Sequence, residues 1–290
     1  MEQTFRRPEG VKVTYGRMKF PFEESGFARY WHGGSAFRSL FWYQLSTAFE
    51  PGEQFFIDSA RALRGHVSDP LLLEELGEFC KQEGHHTAQH LKFDRANAAL
   101  GVDVDSCRAR YARSLTRARG QLDPLGMLAA TVALEHLTAG FAELYFEHPE
   151  LSEGADPNVQ ALWAWHAAEE LEHKATCYDV YRAAGGGYLR RVVVMPGAWL
   201  MILAISIVNT LSLLRKDGKL NLRELWSGVR YLFGRRGVVT GLVPAFLTFF
   251  RPSFHPWKRD DSAEIARWYQ GNRAYVQTRG AGQSAGPNPA

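Results

Sequence analysis

The chain has 290 residues, 22% of them charged, with a formal net charge of +3. That length buries a large core in one or two domains. The near-balanced charge, without a basic patch interleaved with aromatics, excludes nucleic acid as an expected partner. Three widely spaced cysteines, Cys80, Cys107 and Cys177, form no C-x-x-C pair and read as free thiols in a reducing, cytoplasmic compartment. The first ten residues have no apolar run after their charges and do not read as a secretory leader.

Residues 1–33 are rich in aromatics, glycine and proline and read as an irregular arm, with 11–15 as a short extended piece. A short helix is expected over 35–49. Pro51-Gly52 should interrupt it, so that Glu53 opens the next helix, to about Arg64. Ser68-Asp69-Pro70 combines a capping side chain with proline in the first turn, and predicts a helix from there to about Leu100, stopped by Gly101. A basic amphipathic segment follows, with Arg108, Arg110, Arg113, Arg117 and Arg119; it reads as a solvated helix face, with an anion-binding surface as the alternative. Asp123-Pro124 and Asp156-Pro157 repeat the start signal. They open helices that end near His148 and before Gly185-Gly-Gly187. Residues 34–184 therefore form one helical unit.

Past Gly187 the composition changes, and 188–275 reads as an apolar helical region. Residues 192–214 run for about 23 positions without a charge, flanked by Arg190-Arg191 and Arg215-Lys216. A second apolar run, 237–250, contains Pro244 and lies between Arg235-Arg236 and Arg251. Positive charge at both ends gives no orientation. Three arrangements are open for 192–250: helices buried against the preceding unit, a monotopic hairpin dipping into one leaflet, or a true span. The Gly/Pro/Ser-rich tail, 279–290, reads as disordered.

The informative pattern runs through the helices of 34–184. In steps of four and three, the first reads Phe49, Glu53, Phe56, Ala60, Leu63. The next reads Leu72, Leu76, Phe79, Glu83, His86, His90, Phe93. The last two read Leu128, Val132, Glu135, Ala139, Ala142, Phe146 and Val159, Trp163, His166, Glu170, His173, Cys177, Val180. Each series is a bundle-helix core stripe, and each carries a carboxylate where packing alone would want an aliphatic residue. A buried, unpaired carboxylate costs several kcal/mol, roughly, or shifts its pKa far upward. Converging carboxylates would also repel one another. Cations remove both penalties, because carboxylates and imidazoles become ligands. Two lone glutamates (Glu53, Glu135) and two Glu-x-x-His pairs (Glu83/His86, Glu170/His173) match the ligand set of the carboxylate-bridged di-iron four-helix bundle. The expected fold is all-α: a ferritin-like four-helix bundle with an N-terminal arm and additional C-terminal apolar helices.

The two halves are offset alike, Glu53 to Glu83 and Glu135 to Glu170, which predicts a pseudo-twofold metal pair. His166, one turn before Glu170, breaks the symmetry; its counterpart is Phe79. It predicts one more nitrogen ligand on the second metal. Glu169 competes with Glu170 for the ligand position, although the Glu-x-x-His spacing favours Glu170. His90, one turn beyond His86, reads as an eighth ligand, as a group supporting a ligand, or as a packed core histidine. His85, His136 and Glu172 face away from the stripe and read as structural or as supports for the ligands. Cys177 and the aromatics Trp42, Tyr43, Phe56, Trp163, Trp165 and Tyr178 read as core.

Two resemblances attach to these residues. Across 11–260 the chain resembles the bacterial family described as "predicted metal-dependent hydrolase". The matching stretches are Phe49-Glu-Pro-Gly-Glu53-Gln-Phe-Phe56, Phe79-Cys-Lys-Gln-Glu83-Gly-His-His86, Glu135-His136-Leu-Thr138, Trp163-Ala-Trp-His166-Ala-Ala-Glu-Glu170-Leu-Glu-His173-Lys174 and Phe254-His-Pro-Trp257. The ligand pattern alone is similar to the di-iron N-oxygenases of p-aminobenzoate-type arylamines, which also add a histidine four residues before the last Glu-x-x-His. That resemblance implies one metal on Glu53, Glu83 and His86, and the other on Glu135, His166, Glu170 and His173, with Glu83 and Glu170 bridging. It carries over no substrate-pocket residues.

The functional expectation is an O₂-dependent oxygenase with two iron ions, or a manganese or mixed manganese/iron pair. It would draw on an electron donor to hydroxylate, N-oxygenate or desaturate an apolar small molecule or lipid. A binuclear hydrolase is the alternative, and iron storage a third reading. A homodimer and peripheral membrane contact through 192–250 are compatible with each of these.

Overall fold

A computed structural model describes residues 7–16, 18–22 and 26–272; the tail at 279–290 lies outside them. Among the described residues the chain is all-helical. The elements are α1 (Ala36–Ser46), α2 (Phe49–Ala62), α3 (Pro70–Ala99), α4 (Val104–Gln121), α5 (Pro124–Glu147), α6 (Pro157–His173), α7 (Thr176–Ala183), α8 (Tyr188–Lys216), α9 (Leu222–Phe233), α10 (Val238–Thr248) and α11 (Ser262–Gly271), with three short 3₁₀ turns. Residues 11–15 form no strand. Their arm is pinned to α3, where Tyr15 N donates to Glu78 (2.9 Å) and Met18 N to His85 Nε2 (3.0 Å).

The helix starts follow local chemistry. Asp69, Asp123 and Asp156 each accept a backbone N–H from the first turn of α3, α5 and α6, with proline next in sequence where no intrahelical donor is needed. The start of α2 differs from expectation. It begins at Phe49, not Glu53, because Pro51 falls in the first turn, and Gly52 N closes back on Ala48 O at 2.9 Å. Glu53 thereby gains a fixed helical backbone. The last bundle helix also breaks once, after His173. There the buried Lys174 binds Asp261 and Arg259 O and lies 4.4 Å from the Trp257 ring centroid.

α2, α3, α5 and α6 surround a common interior, with α4 packed on α2 and α3. The arginines of α4 are partly engaged: Arg108 pairs with Asp94, Asp105 and Glu50, Arg110 with Asn209, and Arg119 with Asp58. Two buried apolar clusters flank the interior. One contains Trp42 and Trp163, whose rings meet edge to face at 4.5 Å; the other contains Phe56 and Phe79. Both also take residues from beyond Gly187: Leu213, Tyr231 and Val238 in the first, Met195 and Phe249 in the second. All three cysteines are free and buried.

α8 is half-buried along its length. Met195, Ala198, Ser206, Asn209, Leu213 and Leu214 face α1, α4 and α5, while Leu189, Val193, Leu200, Val208 and Leu211 are exposed. Among the described residues two helices are apolar and long enough to cross a membrane: α5, which is mostly buried, and α8, which is buried on its inner face only.

His32 supplies a pH test of the fold. Its ring is fully buried, with Nε2 donating to Leu151 O at 2.7 Å and Nδ1 without a partner. Burial lowers its pKa from 6.5 to about 4. The unfolded chain therefore binds a proton more readily, and this contribution to stability, complete above pH 6.5, is lost as the pH falls toward 4. Urea unfolding of wild type and His32→Gln between pH 7 and 5 should show the wild type losing stability more steeply, by up to ~1.4 kcal/mol per pH unit. Equal slopes would exclude His32 as a neutral buried group.

Candidate metal centre

Every residue singled out from the four stripes arrives in one place. Glu53 comes from α2, Glu83 and His86 from α3, Glu135 from α5, and His166, Glu170 and His173 from α6. Each is at most 3% exposed. Three overlapping sets bring one ligand atom per residue within 4.8 Å of each other: Glu53/His86/His166, Glu83/Glu135/His173 and Glu83/His86/Glu170.

The sets define two ends and a shared middle. At one end His86 Nδ1 lies 4.0 Å from Glu53 Oε1. At the other, His173 Nε2 lies 3.1 Å from Glu83 Oε1 and 3.5 Å from Glu135 Oε2. Glu170 spans both, with Oε1 2.9 Å from His166 Nε2 and Oε2 3.5 Å from His173 Nε2. Glu83 Oε1 also approaches His86 Nδ1, at 3.8 Å. Glu83 and Glu170 thus occupy bridging positions. His166 differs from expectation: it groups with Glu53 and His86, not with Glu135 and His173. By ligand-atom distance the additional imidazole lies at the Glu53/His86 end, two turns before His173 on α6.

Glu53 Oε1, both oxygens of Glu83 and of Glu135, His86 Nδ1 and His173 Nε2 are buried and accept or donate no hydrogen bond. Such groups are normally satisfied in a folded interior, and these converge on one volume. Burial first, and repulsion from neighbouring carboxylates second, push Glu53, Glu83 and Glu135 well above the usual carboxylate range. Glu170 goes the other way: burial would raise it, but His173 and His166 hold it below the ordinary value. Burial and the neighbouring His166 push His86 and His90 well below 6.5. Imidazole nitrogens and unpaired carboxyl oxygens around one point are a donor set for divalent or trivalent cations, and seven side chains with two carboxylates between the ends suit a pair.

The far side of each imidazole is anchored, as metal-binding histidines require. His86 Nε2 meets Glu169 Oε2 at 3.1 Å, so Glu169 supports His86 and does not replace Glu170. His173 Nδ1 donates to Gln82 Oε1 at 3.0 Å, and Gln82 Nε2 donates to Glu172 at 3.0 Å. His166 Nδ1 meets His90 Nε2 at 3.0 Å. Beyond it, His90 Nδ1 meets Ser46 Oγ (2.9 Å), which donates to Asp94 (2.7 Å), itself bound by Arg108 (2.9 Å). His90 therefore supports His166. His85 and His136 are structural: His85 Nε2 accepts from Met18 N at 3.0 Å, and His136 Nε2 donates to Ala245 O at 2.8 Å.

Thr87 and Thr138 hydroxyls donate to Glu53 (2.5 Å) and Glu170 (2.6 Å), fixing one oxygen of each. Gln82, Thr87 and Thr138 were assigned no role from the sequence, although each lies within four positions of a motif glutamate. Ser46 carried no comparable signal, since it stands on a helix outside the four stripes.

An apolar cavity of about 150 Å³ ends on the cluster. Glu53, Thr138, His166 and Glu170 form its inner wall, and Phe49, Phe56, Leu137, Phe141 and Trp163 its sides. Trp199, Ile202, Leu203, Val239 and Leu242 close the far end. The latter five are only half-buried, so the cavity runs from the interior to the α8–α10 surface.

A family described as "Predicted metal-dependent hydrolase" matches residues 14–260. The chain belongs to that family. Its match takes in all seven clustered residues and reaches through α10, which accords with the C-terminal helices sharing the bundle's cores. No curated protein and no solved structure matches the chain significantly.

Two predictions follow the geometry. Purified, metal-loaded protein should hold two metals per chain by elemental analysis, and Glu83→Ala or His173→Ala should lose at least one. Full metal content in both variants would disprove the ligand set. Gln82→Leu should keep the fold but weaken metal affinity by roughly 10- to 100-fold, because His173 loses its anchor; an unchanged titration midpoint would count against the anchoring role.

Proposed function

We propose that this chain uses two iron ions, held by Glu53, Glu83, His86, Glu135, His166, Glu170 and His173, to activate O₂ against an apolar small molecule or lipid chain. The observation that carries the reading is the cavity. Its wall is mostly aromatic and aliphatic; its charged and imidazole groups, Glu53, Glu170 and His166, belong to the cluster, and Tyr111, Tyr145 and Ser206 are the other side chains with hydroxyls besides Thr138. A volume of about this size admits a guest of roughly benzene's bulk. A C–H or amine nitrogen delivered there meets the ligands and little else that is polar. Iron bound by such carboxylates and imidazoles supplies the electrons and the O₂ chemistry, replenished by an external donor.

The chain's own residues set the conditions. Thr87 and Thr138 orient Glu53 and Glu170 at the cavity end. Phe49 packs against both the His90 and His166 rings, at 4.4 and 4.3 Å, and covers that side of the pair. The apolar wall selects by size and hydrophobicity, with few groups to fix a polar substrate.

The family description supports a second reading, hydrolysis on a binuclear centre that activates water. The cavity is less suited to it, since its walls offer few donors to steady a developing oxyanion.

Protein loaded with Fe(II) under anaerobic conditions and mixed with ¹⁸O₂ and a panel of alkyl, acyl and arylamine compounds should incorporate ¹⁸O into product. For desaturation the expected result is O₂ consumption with loss of two substrate hydrogens. Turnover with zinc or manganese in the absence of O₂, with water as the oxygen source, would replace this reading by the hydrolytic one. Leu242→Trp, which fills the cavity away from the ligands, should retain both metals and cut turnover about tenfold or more, equivalent to ~1.4 kcal/mol in the barrier.

A further inference from the structure

The exposed apolar surface of the protein is concentrated on the helices that form the cavity's outer end. On α8, Leu189, Val193, Leu200, Val208 and Leu211 make one stripe, with Leu189 and Val193 both 73% exposed. On α9, Leu222, Trp226, Val229 and Phe233 recur at helical spacing, with Leu222 at 86% and Trp226 at 64%. On α10, Val243 and Leu247 continue the surface. α8 and α10 are adjacent, with the Trp199 and Phe246 rings in contact at 5.0 Å. Exposed apolar side chains in such number and continuity mark a surface that meets something other than water.

Charge identifies the partner. Between Tyr188 and Arg251 there are ten arginines and lysines against two acids, Asp217 and Glu224. They fall at the ends of the apolar helices: Arg190 in the first turn of α8, Arg215 and Lys216 in its last turn with Lys219 just beyond, Arg223 and Arg230 on α9, and Arg235, Arg236 and Arg251 around α10; Arg190, Lys216 and Arg236 pair with Asp123, Asp103 and Glu150, which leaves the others to face outward. An apolar face bordered by cations, with an exposed tryptophan, is suited to an anionic lipid surface. A second copy of this chain would set one basic border against another.

A span is incompatible with the packing of α8. Its inner face packs on α1, α4 and α5 and is tied to the first two by polar bonds near its middle: Arg110 donates to Asn209 Oδ1 at 2.7 Å, Ser206 meets the Tyr111 hydroxyl at 3.0 Å, and Asn209 Nδ2 donates to Gln44 Oε1 at 3.5 Å. Freeing α8 to cross a bilayer would strip these polar partners and carry α4's arginines with it. Only the outer face is available, which places the helix axes along the membrane plane.

We infer that the α8–α10 face docks on anionic membranes as a monotopic surface, setting the cavity mouth between α8 and α10 against the acyl region. A lipid chain or a lipid-dissolved compound could then enter the cavity without crossing water. Entry of substrate by this route rests on the apolar-substrate reading above; docking itself does not.

Co-sedimentation of the full chain with vesicles tests it. Phosphatidylcholine vesicles containing a third of phosphatidylglycerol should bind the protein, and pure phosphatidylcholine should bind it at least fivefold more weakly. Leu200→Asp with Trp226→Ser should reduce binding to the anionic vesicles at least tenfold, with unchanged helical circular dichroism and metal content. Arg223→Glu with Arg235→Glu should remove the preference for anionic lipid. Failure of the wild type to bind either vesicle would overturn the inference. So would a wild-type dimer that becomes monomeric in Leu200→Asp/Trp226→Ser while vesicle binding is absent, since the face would then cover a second copy. Metal content on the same samples separates either failure from failure of the metal assignment.

Discussion

Four carboxylates forced into one dry volume are the constraint on which the rest of the structure depends. No arrangement of protein donors satisfies them all: Glu83 and Glu135 have no hydrogen bond to either oxygen, and burial with mutual repulsion works against their ionisation. A fold that keeps such a cluster is organised around cations. The imidazoles of His86, His166 and His173 complete the donor set, and Glu169, Gln82 and His90 hold their far sides so that the near nitrogens point inward. Electrostatic cost and ligand geometry are therefore two aspects of one feature.

The same constraint explains the distribution of apolar bulk. Trp163, Phe49 and Phe56 keep water from the carboxylates, which raises the cost of leaving them unpaired and strengthens any cation's hold. The side facing α8 and α10 is different, because there the wall thins into a cavity that leads outward. The C-terminal helices are thus more than a cover. They share the bundle's buried clusters on one face and present leucine, valine and tryptophan to the outside on the other. In the function and docking proposed above, chemistry on an apolar substrate and access from an apolar phase meet in these helices.

Much of this was readable from the chain alone, for physical reasons. Asp-Pro dipeptides announce helix starts because the side chain caps and the proline needs no partner, and α3, α5 and α6 begin where those pairs predict. The seven clustered residues could be picked out because a charged residue on an apolar stripe is rare without a cause. Pro51 misled, since a proline in a first turn and a proline between helices look alike in sequence. The grouping of His166 was hidden as well. Position along α6 places it beside Glu170, but which end of the cluster it joins depends on how α6 lies against α2 and α3. Ser46 and Asp94 were out of reach for a related reason, since their role exists only where α1 meets α3. The apolar runs at 192–214 and 237–250 admitted burial, docking and spanning alike; the structure adds that α8 buries one face, with Asn209 and Ser206 tied inward.

The most direct test of the central claim is anomalous X-ray diffraction at the iron edge from crystals of iron-loaded protein. Two peaks per chain are expected, one among Glu53, His86 and His166 and the other among Glu83, Glu135 and His173, with Glu83 and Glu170 reaching both. A single peak, or peaks away from these side chains, would contradict the account.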